Sequence, residues 1–458
     1  MQPGIAAGNP ATAAAGAEIL ANGGNAADAA IAATLASCVA ESIMTGLLGG
    51  GHAIYFDASS GESWNLDCFC SIPSGEGGEL DHLQVPFGEE HVHYAIGAAS
   101  FAVPGVPAGI GALHARFGRL EWRDLFEPAV RLARAGVEMS PAQASCLAML
   151  APVMTMNEGA RIYAPGGVLL QTGERLEQPG LARALELVAE EGAASAYSGS
   201  IADALLALMR ERGGLVTGED LETYRAEWSP PVEVGYLGAT FYSRGDLSGL
   251  PETLPRIPRL RGLAEAERAV ALAAALDGER TDGAGDTTNI TVVDAEGNAC
   301  VLTTSLGLGS GDYVPGLDLH LNSMLGEADL VRGALEPGER MGSMMAPSVV
   351  LRDGSMELAI GAAGGTRLRS ALIEVAAGVL DEGLPSGDAV ARPRLHAAGG
   401  RVQLEPGFSN ATVGALERKG FEVRVWLAQH HFFGGVSLVT PSDAAGDPRR
   451  SGAAAQVR

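Results

Sequence analysis

Residues 283–305 read "GAGDTTNITVVDAEGNACVLTTS". A glycine-rich run stops at Asp286. Thr287 and Thr288 then open a segment that alternates apolar and polar residues as far as Asp294. Ala295–Asn298 is a turn, and Ala299–Ser305 alternates again. Two alternating runs around a short polar turn make an antiparallel hairpin. The polar run in front of it, "DGERTDGAGD" (277–286), has the composition of an exposed linker that is easily cut. Thr favours strands and Gly favours loops, so the junction alone assigns no chemistry to its adjacent hydroxyls.

The segments around this hairpin are layered by type. "NPATAAAGAEILANGGNAADAAIAATLASCVAES" (9–42) reads as two helices broken at Gly23-Gly24. Thr12 or Asn9 can cap the first and Asn25 the second, which is apolar on nearly all sides and therefore expected to be buried. "TGLLGGGHAIYFDASSGESWNLDCFCSIP" (45–73) is a glycine-rich turn and a hairpin around Ser59–Gly61. Residues 107–212 carry helical spacing, with several segments ending at Gly. "PPVEVGYLGATFYSR" is strand-like, and "LAEAERAVALAAAL" is a short helix. "SMMAPSVVLRDGSMELAIGAAGGTRLRSALIEVAAGVLDEG" (343–383) gives strand, Asp-Gly turn, strand, glycine loop and helix. A further helix at 411–419 and strands up to "GGVSLVT" follow. Helices, hairpins, hairpins and helices in this order predict stacked layers with antiparallel sheets inside. No internal repeat is present.

The bulk composition excludes several functions. The 458 residues carry a net charge of −24, which repels phosphate backbones and anionic lipid. No Lys/Arg block interrupts the acidity, and no apolar run is long enough to span a bilayer. The N-terminal residues lack the charged and long apolar regions of a secretory signal, so a cytoplasmic location is expected. Cys38, Cys68, Cys70, Cys146 and Cys300 have no regular spacing, so buried thiols are expected rather than disulfides or a metal site. His430 and His431 lack a partner at metal-ligand spacing, and a pocket-edge or surface role is expected for them. No metal or cofactor is anticipated.

The chain resembles the γ-glutamyltransferase (γ-glutamyltranspeptidase) family of N-terminal-nucleophile (Ntn) hydrolases along nearly its whole length. "PATAAAGAEILANGGNAADAAIAA", "GVPAG", "FGRLEWRDLFEPAVRLARAG" and "GGLVTGEDLETY" resemble segments of the family's large subunit. "DTTNITVVDAEGNA" and "GAAGGTRLRSAL" resemble the start and the glycine loop of its small subunit. The resemblance implies an α+β fold, a four-layer αββα sandwich made as one precursor that cuts itself. The cut would fall between Asp286 and Thr287, giving a large subunit of residues 1–286 and a small one of 287–458. The two pieces would stay together as a heterodimer, with further dimerisation left open. Thr287 would then be an N-terminal nucleophile whose own α-amine, with a pKa near ~8, serves as its base. By the same resemblance Ser305 would hydrogen-bond the nucleophile, and the N–H groups of Gly364 and Gly365 would form the oxyanion hole. A strand-to-helix turn at Gly361–Gly365 is compatible with that role.

The departures concern substrate recognition. The family's hairpin leads into an Arg that clamps an α-carboxylate, whereas this chain reads "NLDCFCSIPSG" with no Arg. The family's acidic pair is matched by Gly326-Glu327, its Ser-Ser by Ser343-Met344, and an expected Asn by Gly307. Met344 and Met345 either make the pocket more apolar or simply pack in the core. Arg367 either attracts an anionic substrate or is a solvated residue at a helix start. The expectation is a hydrolase of a small amide or acyl compound, with glutathione disfavoured. A C–C bond hydrolase of specialised metabolism with the same Thr, and an uncleaved ligand-binding or scaffold homologue, are the alternatives.

Overall fold

The structure is a computed structural model that describes residues 1–87, 90–278, 287–327, 329–330, 333 and 336–457. Asp286 therefore lies outside the described residues, and so does most of the expected linker. In the N-terminal part the strands of the two large sheets are β1 (Gly4–Ala7), β2 (Gly50–Asp57), β3 (Glu62–Cys68), β4 (Glu227–Ser229), β5 (Val232–Tyr236) and β6 (Ala239–Ser243). In the C-terminal part they are β7 (Thr288–Val293), β8 (Ala299–Ser305), β9 (Ser348–Arg352), β10 (Ser355–Ala363), β11 (Gly435–Val439), β12 (Ala444–Gly446) and β13 (Ala453–Gln456). One antiparallel sheet has the order β13-β1-β7-β8-β2-β3-β4 and the other β12-β11-β10-β9-β6-β5.

Alternation along the strands dictates the layers, because successive side chains leave a strand on opposite faces. Ile290 and Val292 of β7, Cys300 and Leu302 of β8, and Ala53 and Tyr55 of β2 pack toward helices α1 (Pro10–Ala21) and α2 (Ala26–Ala40). The residues between them, Val293, Ala299, Val301, Ile54 and Phe56, meet Val349, Leu351 and Ala359 of the second sheet. On its outer face that sheet packs Val350, Leu358, Ile360 and Leu438 into an apolar cluster with helices α6 (Glu265–Leu276) and α7 (Leu368–Ala377), and α8 (Asn410–Arg418) packs on α6. Helix, sheet, sheet, helix is the expected four-layer αββα sandwich. The helical stretch of 107–212 contains α3 (Val106–Phe117), α4 (Glu127–Ala135) and α5 (Ser200–Arg212), which end at Gly118, Gly136 and Gly213.

Helix α2 is buried along its entire length, as its composition requires. Its N-terminus carries a capping box made by Asn25 and Asp28. The first helix is capped by Asn9 rather than Thr12, whose hydroxyl instead donates to Glu41. All five cysteines are buried and form no disulfide. Burial pushes the Cys38 and Cys68 thiols up to about 12, which keeps them protonated and inert. No described helix is long and apolar enough to cross a membrane, and the described residues contain no cluster of three or more metal-ligating side chains.

Candidate active site

The first residue of the hairpin sets the site. Asn289, Thr291 and Val293 lie on the face of β7 that looks toward the second sheet, and alternation puts Thr287 on the same face. Asn289 reaches so far across that a Cβ on Gly361 of β10 would stand 2.0 Å from its Oδ1. Two residues earlier, Thr287 is buried and meets the loop that leaves β10. The Gly364 N–H donates to Thr287 Oγ1 at 2.9 Å. Gly364 has φ +130° and Gly365 φ +56°, which disfavour any residue with a side chain, and a Cβ on Gly364 would stand 2.9 Å from Gly434 Cα. The loop then turns into α7, so its N–H groups are those of a helix start.

Strand β8 supplies the next residue. Thr288 pairs with Thr304, and the register extended by one residue sets Thr287 opposite Ser305. Ser305 Oγ accepts the Gly307 N–H at 2.8 Å. Glu327 is buried over Gly307, where an added Cβ would stand 2.4 Å from its Oε1. Bare glycine at 307 is therefore what admits this carboxylate.

Ser343 and Met344 lie in the loop that leads into β9. The Ser343 N–H donates to Asp246 at 2.7 Å, and its Oγ accepts the Met345 N–H at 3.3 Å. Arg244 donates to the Ser343 and Met345 carbonyls, so this turn is fixed from behind. Met344 is half-buried against a cluster of Phe69, Cys70, Leu247, Met324, Met341 and Met345. Of the two roles expected for Met344, this contact is the packing one.

For two residues one of the two expected roles is ruled out. Arg367 is not a solvated helix-start residue: it is 2% exposed and donates to the Phe432 carbonyl at 3.2 Å and to Thr366 Oγ1 at 3.1 Å. Its guanidinium lies over the Phe432 ring, and a charge held in this way cannot remain at the surface. His431 is likewise buried rather than superficial, because the segment 430–433 folds inward as a turn against Trp426. Burial holds His431 well below the ordinary imidazole range, and His430, Arg450 and Arg367 reinforce the effect.

Sequence reasoning missed Glu41 and Arg450. Both line a narrow recess with Thr287 and Thr288. Glu41, the C-cap of α2, accepts the Thr12 hydroxyl at 2.7 Å and the Thr288 hydroxyl at 2.5 Å. The sequence did hold a signal for it: Asp28 and Glu41 are the only charged residues in an otherwise uncharged stretch, 19–41. Arg450 carries no such signal. Its stem passes over Gly435, and its Nη2 lies 3.6 Å from the place of a Cβ on Gly364.

The model of one family, gamma-glutamyltranspeptidase, matches residues 12–253 and 259–457. The chain belongs to this family. It is 29% identical to the acylase ACY 1 proenzyme of Pseudomonas sp. (strain SE83), over 92% of this chain and 87% of that protein. It is 28% identical to a glutathione hydrolase proenzyme of Pseudomonas aeruginosa, over 83% of this chain and 80% of the relative. The cephalosporin acylase of Bacillus halodurans superposes with a TM-score of 0.84 at 24% identity, covering 99% of this chain and 95% of that one. Kinship and fold agree: this is an enzyme of the gamma-glutamyltranspeptidase type, an Ntn hydrolase.

Proposed function

We propose that the chain is a self-processing acylase that uses Thr287 as nucleophile, cuts its own Asp286–Thr287 bond and then hydrolyses a small amide. The observation that carries this reading is the 2.9 Å hydrogen bond from the Gly364 N–H to Thr287 Oγ1. It sets the hydroxyl beside a backbone donor that can hold the charge of a tetrahedral intermediate. In self-cleavage Oγ1 attacks the carbonyl carbon of residue 286, the C–N bond breaks and an ester forms. Water then splits the ester and leaves Thr287 with a free α-amine. In turnover that amine takes the Oγ1 proton as the hydroxyl attacks the substrate carbonyl, and it hands the proton to the departing amine. Water next hydrolyses the acyl-enzyme ester. Gly364 and Gly365 are the oxyanion donors in this scheme, Ser305 supports Thr287, and Glu327, Ser343 and Met344 line the acyl side. The two cleavage pieces remain one heterodimeric enzyme.

The names of the relatives favour acyl transfer to water, and the exit of the β2–β3 hairpin disfavours glutathione because Phe69 stands there in an apolar cluster. Intact-mass spectrometry tests the proposal. Wild-type protein is expected to yield two pieces that meet at Asp286–Thr287, and Thr287→Ala a single uncleaved chain without amidase activity. A wild-type chain that stays whole on long incubation, or a Thr287→Ala chain that still splits there, overturns it.

A further inference from the structure

We infer that Glu41 and Arg450 set the proton affinity of the Thr287 α-amine from opposite directions; this rests on the reading of Thr287 as an N-terminal nucleophile. The recess shared by Glu41, Arg450, Thr287 and Thr288 is buried, so charges there act through a medium of low dielectric. Glu41 is 1% exposed and tied to the hydroxyl of Thr288, the neighbour of the nucleophile. A Cβ on Gly8 would stand 2.3 Å from Glu41 Oε2, so the chain is bare where this carboxylate must fit. Arg450 is 4% exposed and touches Met44 Sδ through Nη1 at 3.2 Å. Its Nη2 lies beside Gly364, whose N–H holds Thr287 Oγ1.

Other charged groups also stand around Thr287. Asp447 also lines the recess, but Arg394 pairs with it at 2.5 Å and Arg449 at 3.2 Å. Arg367, at the start of α7, is turned toward the Phe432 carbonyl. His430 and His431 are kept neutral by burial and by the nearby arginines. On the β8 side Glu327 lies over Gly307. Glu41 and Arg450 bring opposite charges into the recess itself. A carboxylate within a few ångströms favours the ammonium form of an amine, and a guanidinium disfavours it. The amine must be neutral to accept the Oγ1 proton, so the balance of the two decides the pH at which the base works.

The test measures the pKa of the Thr287 α-amine in cleaved enzyme. Competitive acetylation with acetic anhydride across pH is read by mass spectrometry on the N-terminal peptide of the 287–458 piece, which counts only cleaved molecules. Glu41→Gln is expected to lower the pKa by about one unit and Arg450→Gln to raise it by about one unit. Arg450→Lys is expected to leave it in place. The acid limb of kcat/KM should move with each variant. A merely structural role would change the yield or the melting temperature without shifts of opposite sign. Shifts of the same sign, no shift, or a variant that never cleaves overturn the inference for that residue. A wild-type chain with no Thr287 amine to label would instead overturn the nucleophile reading on which this rests.

Discussion

Phe69 stands at the exit of the β2–β3 hairpin, in a stretch, 65–75, that contains no arginine to clamp an α-carboxylate. It is 1% exposed and stacks on His52, with ring centroids 5.4 Å apart. His52 is fully buried, and burial, then Arg244, push it down to about 3, so it stays neutral and offers no charge either. The nearest arginines are engaged elsewhere. Arg340 lies 3.4 Å from Asp67 and donates to the Phe69 carbonyl, and Arg244 holds the Ser343 turn and Asp246. A substrate carboxylate brought to this wall would lose its hydration without gaining a bidentate partner. Two p-nitroanilides that differ only in that group test this, γ-glutamyl and 4-aminobutyryl. Turnover of the γ-glutamyl compound is expected to be at least about tenfold slower in kcat/KM, a difference of about 1.4 kcal/mol. A preference for the γ-glutamyl compound would show that a carboxylate clamp exists after all. The missing Arg was legible in the sequence, because a clamp of that kind is one residue at one place. What replaced it was not legible, because the stack of Phe69 on His52 joins two strands and depends on their register.

At the scale of elements, α7 carries a charge that its burial opposes. Glu374 is buried on this helix, and both its oxygens accept the Leu395 N–H at 3.3 Å. Burial pushes its carboxyl up to about 7, although Arg268 and Arg394 pull the other way. The unfolded chain releases this proton near 4.5, so between about 4.5 and 7 the folded state binds more protons. Stability from this group must therefore fall as pH rises through that window and level off above it. Glu374→Gln keeps an acceptor for Leu395 and removes the titration. Its unfolding free energy, extrapolated from urea, should lose less than that of wild type between pH 4.5 and 8, a difference of at most about 3.4 kcal/mol. Parallel curves for the two proteins would exclude Glu374 as the source. The elements themselves were largely legible: the all-round apolar α2 and the alternating β7–β8 hairpin follow from local periodicity. Buried charges such as Glu374, Arg394 and Arg450 were not, since their partners come from segments far apart in the chain.

At the scale of the whole molecule, the proposed cut does not follow a seam of the fold. Strand β7, the first after Thr287, pairs on one side with β1 and on the other with β8, and β8 pairs with β2. At the outer edge β13 pairs with β1. In the second sheet β9 pairs with β6. Each of these contacts except β7–β8 joins residues 1–286 to residues 287–458. The turn of the β7–β8 hairpin adds another tie: Asp294 accepts the N–H of Ala26 at the start of α2 at 3.0 Å. Separation would break backbone ladders in both sheets and expose the apolar faces of Ile290, Val292 and Leu302, all buried against α1 and α2. Unpaired edges and bare apolar strands of that extent cost far more than the cut gains in freedom of the new ends. Fully cleaved enzyme is therefore expected to elute from size exclusion as one species. Its elution should match that of the uncleaved Thr287→Ala chain, because cleavage changes the 46.8 kDa mass only by one added water. Both should unfold in urea as a single transition, with the pieces separating only then. Elution of the pieces apart without denaturant would mean that the interleaved sheets do not hold the cleaved protein together.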